Sequence, residues 1–239
     1  MNLIKKDSGS IKIFGLDNVK NEKEIKQKIG FVYDDSHFYE GLSVTRMKNV
    51  IAPFYKNWDD NAFDKYISDF GLSKDKKIKE LSKGMKMKFS IALALSHNAE
   101  LIIMDEPTSG LDPVFRSDIL DTLYSVIQDD KKSILFSTHI TSDLEKIADY
   151  ITFLNDGKIV FSSPKDEILE KYKIVKGDNS ILNDEIRSQF IGINENSYGF
   201  EALTDNVPKI SKMLNDKVLI EKASLDDIMV YTVRSDKNV

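Results

Sequence analysis

The chain has 239 residues, 41% of them hydrophobic and 31% charged, a composition that suits one good-sized globular domain or a domain with an appendage. A net charge of −5 gives no basic footprint for nucleic acid, and the absence of cysteine excludes a disulfide framework and thiol chemistry. No apolar run reaches the roughly 20 residues of a membrane helix, and Met1–Lys6 is too short for a signal peptide, so membrane association would come through a partner.

Met1 to Lys6 reads as the tail of a helix, and Ser8-Gly9-Ser10 turns it into a short alternating strand, Ile11 to Phe14, closed by Gly15. Ile29 to Tyr33 reads as a second strand, ending at the acid Asp34. From Ser36 to about Ser96 the pattern becomes helical. Met47, Val50, Ile51 and Phe54 share one stripe, and Phe63, Ile67 and Phe70 share another that stops at Gly71. Trp58 reads as a packing residue, and Lys74 to Lys79 as a solvated connector. Leu81-Ser82-Lys83-Gly84-Met85 opens a helix whose Phe89–Leu95 stretch is apolar and alanine-rich, hence buried.

Leu101 to Met104 is a continuous apolar run, the pattern of a parallel strand covered on both faces. It ends in Asp105-Glu106-Pro107. Ligands of open α/β sheets sit beyond the carboxyl ends of strands. A carboxylate there can hold Mg²⁺ against nucleotide phosphates, and the acid beside it can orient or deprotonate a water. Gly110-Leu111-Asp112-Pro113 follows, then an amphipathic helix marked by Phe115, Ile119, Leu123 and Ile127. Another apolar strand starts at Ser133 and ends at His139, after which Ser142 and Glu145 have capping-box spacing. Tyr150–Leu154 and Lys158–Ser162, joined by Asn155-Asp156-Gly157, read as a β-hairpin. Past Pro164 a weaker, mixed α/β tail begins, starting with Ile168 to Tyr172.

The order of Leu81–Met85, Asp105–Glu106, Gly110–Pro113 and His139 resembles the signature motif, Walker B strand, D-loop and H-loop of ABC transporter ATP-binding subunits, from about Ser8 to about Pro164. The resemblance implies a P-loop NTPase-like (RecA-like) α/β fold built on a parallel sheet. It places a core over 1–164 with a helical subdomain at about 36–96, and an extension over 165–239. It implies ATP and Mg²⁺ as cofactors, with Asp105 on the metal, Glu106 as base or water-positioner, and His139 sensing the γ-phosphate. Ser82, Lys83 and Gly84 would face the nucleotide of an opposite subunit, Asp112 would bridge the subunits, and Asp34 stands where the family usually has glutamine or, in some exporter-type members, an acid. Lys83 and Met85 depart from the family's usual glycine and glutamine. The implied partners are a second such ATPase subunit and separate membrane-spanning permeases. The place would be the inner face of the cell membrane, reached through those permeases.

The phosphate-binding loop G-x-x-x-x-G-K-[ST] is absent from the sequence; the one Gly-Lys pair, Gly157-Lys158, is followed by Ile159. The expectation is a chain that starts after that loop, with the strands before it also missing, so its autonomous hydrolysis is doubtful. Two readings stay open: the ATPase subunit of an exporter, N-terminally truncated, and a non-catalytic partner lending its signature face to another subunit's site. A soluble protein acting on ribosomes or DNA is a third reading, disfavoured by the single cassette.

Overall fold

The computed structural model describes residues 1–34 and 37–235; Ser36, the lower limit of the expected helical region, lies outside them. The chain divides into two compact units, Met1–His139 and Ile140–Val239. In the second unit the hairpin residues Ile151 and Phe161 pack with Ile168 and Tyr172.

The first unit runs β1 (Lys12–Ile13), β2 (Leu16–Asp17), α1 (Glu22–Gln27), β3 (Ile29–Val32), α2 (Val44–Ile51), α3 (Asp60–Asp69), α4 (Lys83–Leu95), β4 (Leu101–Asp105), α5 (Pro113–Val126) and β5 (Ser133–Ser137). Its sheet is three parallel strands in the order β3-β4-β5. The apolar runs found in the sequence form these strands, and Ile29, Val32, Ile102 and Met104 are buried in them. β3 presses against α4 closely enough that a Cβ on Gly30 would sit 2.8 Å from the Ala94 carbonyl oxygen. β5 has no second neighbour among the described residues, and its Leu135 is 61% exposed.

The helical region forms around Phe89, which is fully buried among Val44, Met47, Phe63, Ile67 and Leu93. Phe38 and Phe63 stand edge-on to it at 5.0 and 6.3 Å. Ser43 caps α2 and Asp59 caps α3, so both helices start where a polar side chain takes up free N–H groups. Gly71, φ +64°, follows α3 as expected, and Trp58 packs on this core while its Nε1 donates to Asp60 at 2.9 Å.

Two expectations near the N-terminus fail. Met1–Lys6 is not helical; Asn2, at φ +57°, exchanges amide hydrogen bonds with Asn18 instead. The strand expected over Ile11–Phe14 is a two-residue β1 turning back into β2, through Phe14 and Gly15 at φ +53° and +76°.

His97, just past α4, is 1% exposed, and neither of its ring nitrogens has a hydrogen-bond partner. Tyr55 lies over it at 3.7 Å. Burial, helped by Lys132, pushes its pKa down to about 4, whereas an unfolded histidine titrates near ~6.5. The folded protein therefore holds His97 neutral while the unfolded chain takes up a proton. This contribution is complete above pH ~6.5 and fades as pH falls toward about 4, for a loss on the order of 3 kcal/mol. Urea unfolding at pH 7 and pH 4.5 should show a larger acid loss in the wild type than in His97→Phe. Equal losses would remove His97 as the cause.

The second unit runs α6 (Thr141–Ile147), β6 (Tyr150–Asn155), β7 (Lys158–Pro164), α7 (Lys165–Lys171), β8 (Lys173–Gly177), α8 (Asp184–Arg187), β9 (Gly192–Asn196), β10 (Gly199–Thr204), α9 (Val207–Leu214), β11 (Val218–Lys222) and α10 (Leu225–Ser235). β6 and β7 are the expected hairpin, with Asp156 and Gly157 both at positive φ as a type I′ turn requires. The capping box expected at Ser142 does not form: α6 starts at Thr141 with Ile140 at the cap position, and Glu145 accepts from the Leu225 N–H instead. α10 has a reciprocal cap, Ser224 and Asp227 each accepting the other's backbone N–H.

The tail is more ordered than its pattern suggests. β8 to β11 form one antiparallel sheet in the order β11-β8-β10-β9, the β-α-β-β-α-β arrangement called ferredoxin-like. One face buries Val175, Phe200 and Ala202 against Ile186 of α8 and Ile210 and Leu214 of α9. The other buries Ile174 and Leu203 against Leu225, Ile228 and Tyr231 of α10. Among the described residues no helix is long and apolar enough to cross a membrane.

Candidate functional site

All eight candidate residues lie in the first unit, at the carboxyl edge of the parallel sheet and on the two helices beside it. β4 and β5 pair in register, Asp105 opposite Ser137. Ser137 Oγ donates to Asp105 Oδ1 at 2.5 Å, fixing that carboxylate at the strand end. The next residue, Glu106, has φ +46°, a left-handed conformation that non-glycine residues rarely adopt. Its N–H bonds the Ser137 carbonyl and its carbonyl accepts from Ser109, so both neighbours hold the unusual backbone in place. The turn separates Glu106 from its strand and brings Oε2 to 2.9 Å from His139 Nδ1. That oxygen is shielded from solvent and accepts no hydrogen bond, because the contact with the imidazole is close but not aligned for one. A buried, under-satisfied carboxylate oxygen beside an exposed histidine is an arrangement that stability alone disfavours and that proton transfer uses.

Ser82 caps α4, its hydroxyl accepting the Met85 N–H at 3.3 Å. Gly84 is buried, and a Cβ there would meet Phe115 Cδ1 at 2.8 Å, so only glycine lets α4 and α5 approach this closely. Lys88 braces the same contact, its ammonium 2.9 Å from Asp118 and 5.0 Å from the centre of the Phe115 ring. Asp112 caps α5, accepting the N–H groups of Val114 and Phe115. Lys83 does not project freely: its Nζ lies 3.1 Å from Asp34 Oδ1. Three subclusters thus emerge: Asp105 with Ser137, Glu106 with His139, and Lys83 with Asp34. Ser137 is the contributor that sequence reasoning passed over. Its signal is the parallel register of the two strands, which sets the Ser-Thr-His end of one beside the Asp-Glu end of the other.

The donor set suits a magnesium ion shared with phosphate. Mg²⁺ typically takes one or two carboxylates and fills the rest of its shell with phosphate and water. Asp105, anchored by a hydroxyl, offers such a carboxylate, and among the described residues no cluster of three or more His, Asp or Glu forms a complete protein cage.

Residues 1–109 match the protein family described as "ABC transporter". The chain is 34% identical over 173 residues to the bacitracin transport ATP-binding protein BcrA of Bacillus licheniformis, covering 72% of this chain and 56% of that protein. It is 31% identical over 166 residues to the lantibiotic transport ATP-binding protein SrtF of Streptococcus pyogenes, covering 69% of this chain and 70% of that one. A solved structure described as the ATP binding subunit of an ABC transporter superposes with a TM-score of 0.62 at 25% identity, covering 71% and 72% of the two chains. The chain spans between 50% and 63% of the length of the first curated relatives it matches, the bacitracin protein included.

Proposed function

Because this chain belongs to the ABC transporter ATP-binding proteins, with the P-loop NTPase α/β fold, we propose that it serves as the catalytic portion of a subunit that powers export across a membrane. The cargo would be of the kind named for its relatives, bacitracin or a lantibiotic. The observation that carries the reading is the Glu106–His139 contact beside Asp105 at the ends of two adjacent parallel strands.

In this reading Asp105 holds the Mg²⁺ of Mg-ATP, and the metal supplies charge neutralisation between the phosphates. Glu106 positions the attacking water and accepts its proton, and His139 holds Glu106 and senses the γ-phosphate. Ser82 and Gly84 present helix N–H groups to the nucleotide held by an opposite subunit, a fitting place for an anion. Asp112 sits at the subunit junction, Asp34 stands at the strand end next to Asp105, and the face built around Phe89 meets a permease. The core is proposed to extend through the hairpin to Pro164, with 165–239 serving packing or regulation. The subunit would sit at the inner face of the membrane by way of its permeases.

A second reading rests on one observation: the 239 residues contain no G-x-x-x-x-G-K-[ST] loop. A partner that lends only its signature face would need none. Two experiments separate them. Joined to a segment that supplies the loop, the chain should hydrolyse Mg-ATP, with turnover rising faster than linearly with protein concentration because each site needs two subunits. Mixed instead, without the loop, with an intact subunit whose own signature is disabled, it should restore turnover at one site. Activity in the mixture with none in the joined protein selects the second reading; none in either, from folded protein, sinks both.

A further inference from the structure

Lys83 occupies the first helical position of α4, where a positive charge opposes the helix dipole, and α4 has no acid in its first turn to offset it. The offsetting carboxylate comes from Asp34 at 3.1 Å, two residues beyond the end of β3. The lysine reaches it across Gly110, where a Cβ would lie 3.3 Å from Nζ and 3.8 Å from Cδ. Gly110 is at φ +68°, so a side chain at that point would be doubly disfavoured. One side chain thus ties together the end of β3, the loop between β4 and α5, and the N-terminus of α4.

Both partners are roughly 40% exposed, at 43% and 39%. An exposed pair of this kind contributes little to stability, too little to be a staple of the fold. It is weak enough for a polyphosphate, with its higher charge and several acceptors, to displace the carboxylate. β3 and β4 pair with Val32 opposite Met104, so Asp34 and Asp105 leave the sheet at the same edge.

We propose that Lys83 and Asp34 form an exchangeable ion pair. In the absence of phosphate Asp34 holds the signature ammonium in cis. When phosphate reaches the N-terminus of α4, Lys83 transfers to it and Asp34 is released toward the edge it shares with Asp105. Occupancy of one composite site is thereby reported to the acid edge of the other. The proposal rests on the signature reading above and adds a positioning role for Asp34.

The test titrates inorganic tripolyphosphate into the 239-residue chain, read by the backbone amide resonances of Lys83 to Met85. Asp34→Asn should tighten binding by about two- to fivefold, the upper part of the range for an exposed ion pair, and Lys83→Met should weaken it. In the Lys83→Met background, Asp34→Asn should change nothing, because there is no ammonium left to release. An equal effect of Asp34→Asn in both backgrounds would mean a general field effect and would overturn the exchange. So would no effect in either, or no binding by Asp34→Asn. Ser82→Arg separates the two levels: if it abolishes a response that Asp34→Asn leaves untouched, the signature reading stands and the exchange alone falls. If those amides respond in no variant, both fall.

Discussion

Glu106→Gln, made in the protein joined to a phosphate-binding loop, is expected to slow ATP turnover by about 10²–10⁴ while leaving nucleotide binding intact. The substitution is nearly isosteric, so the left-handed turn at φ +46° and its two backbone hydrogen bonds persist. What changes is the oxygen or nitrogen placed 2.9 Å from His139 Nδ1. An amide cannot take the proton of an attacking water, and it puts a donor where the carboxylate has an unused acceptor. Single-turnover and steady-state rates, with nucleotide affinity measured in parallel, decide the matter. Turnover within a few-fold of wild type would remove Glu106 from the base role and leave its strained backbone without a catalytic explanation.

Phe89→Ala is expected to destabilise the first unit by about 3–5 kcal/mol, a large share of the roughly 5–15 kcal/mol that typically holds a domain together. Phe89 is fully buried and gives up two edge-on aromatic contacts as well as its own surface. It sits in α4, the helix whose first residues are the candidate signature, and α4 also supplies Ala94 to the close approach of β3. The loss should therefore reach the candidate site: urea unfolding followed by far-UV circular dichroism should shift to markedly lower denaturant. Phe89→Leu should recover much of it by refilling the space. A shift under 1 kcal/mol for the alanine variant would show that the cluster collapses around the cavity.

What the sequence disclosed was mostly local. Apolar runs located β3, β4 and β5, the Asp-Gly pair located the β6–β7 turn, and the polar residue at Ser82 located the start of α4. Each is a signal carried within a few residues, where side-chain period and backbone preference coincide. The β1–β2 turn was missed because a phenylalanine takes its first positive-φ position, against the usual preference for Gly, Asn or Asp. Ser142 was misread because its spacing to Glu145 is right, yet the backbone of a distant helix takes Glu145 for itself. The Lys83–Asp34 pair and the grip of Ser137 on Asp105 depend on neighbours brought together by the sheet, and no window along the chain contains both members. The same holds for the antiparallel sheet of the second unit, whose strand order interleaves early and late segments; both its faces are covered, so its inner strands lack the clean alternation of a half-exposed sheet.

That interleaving sets the order of events on the ribosome. β8 is the first strand of its sheet to be synthesised, but it lies between β10 and β11. It has no neighbour until Thr204 has emerged, and stays open along one side until Lys222 has followed. The parallel strands of the first unit are all made by Ser137. The two units therefore mature differently: the first can condense while the chain is still growing, whereas the second has only the β6–β7 hairpin paired, with β8 open, through most of its own synthesis. The interval between Thr204 and Lys222 is when the nascent chain offers proteases and chaperones an apolar β8 edge that the finished protein conceals.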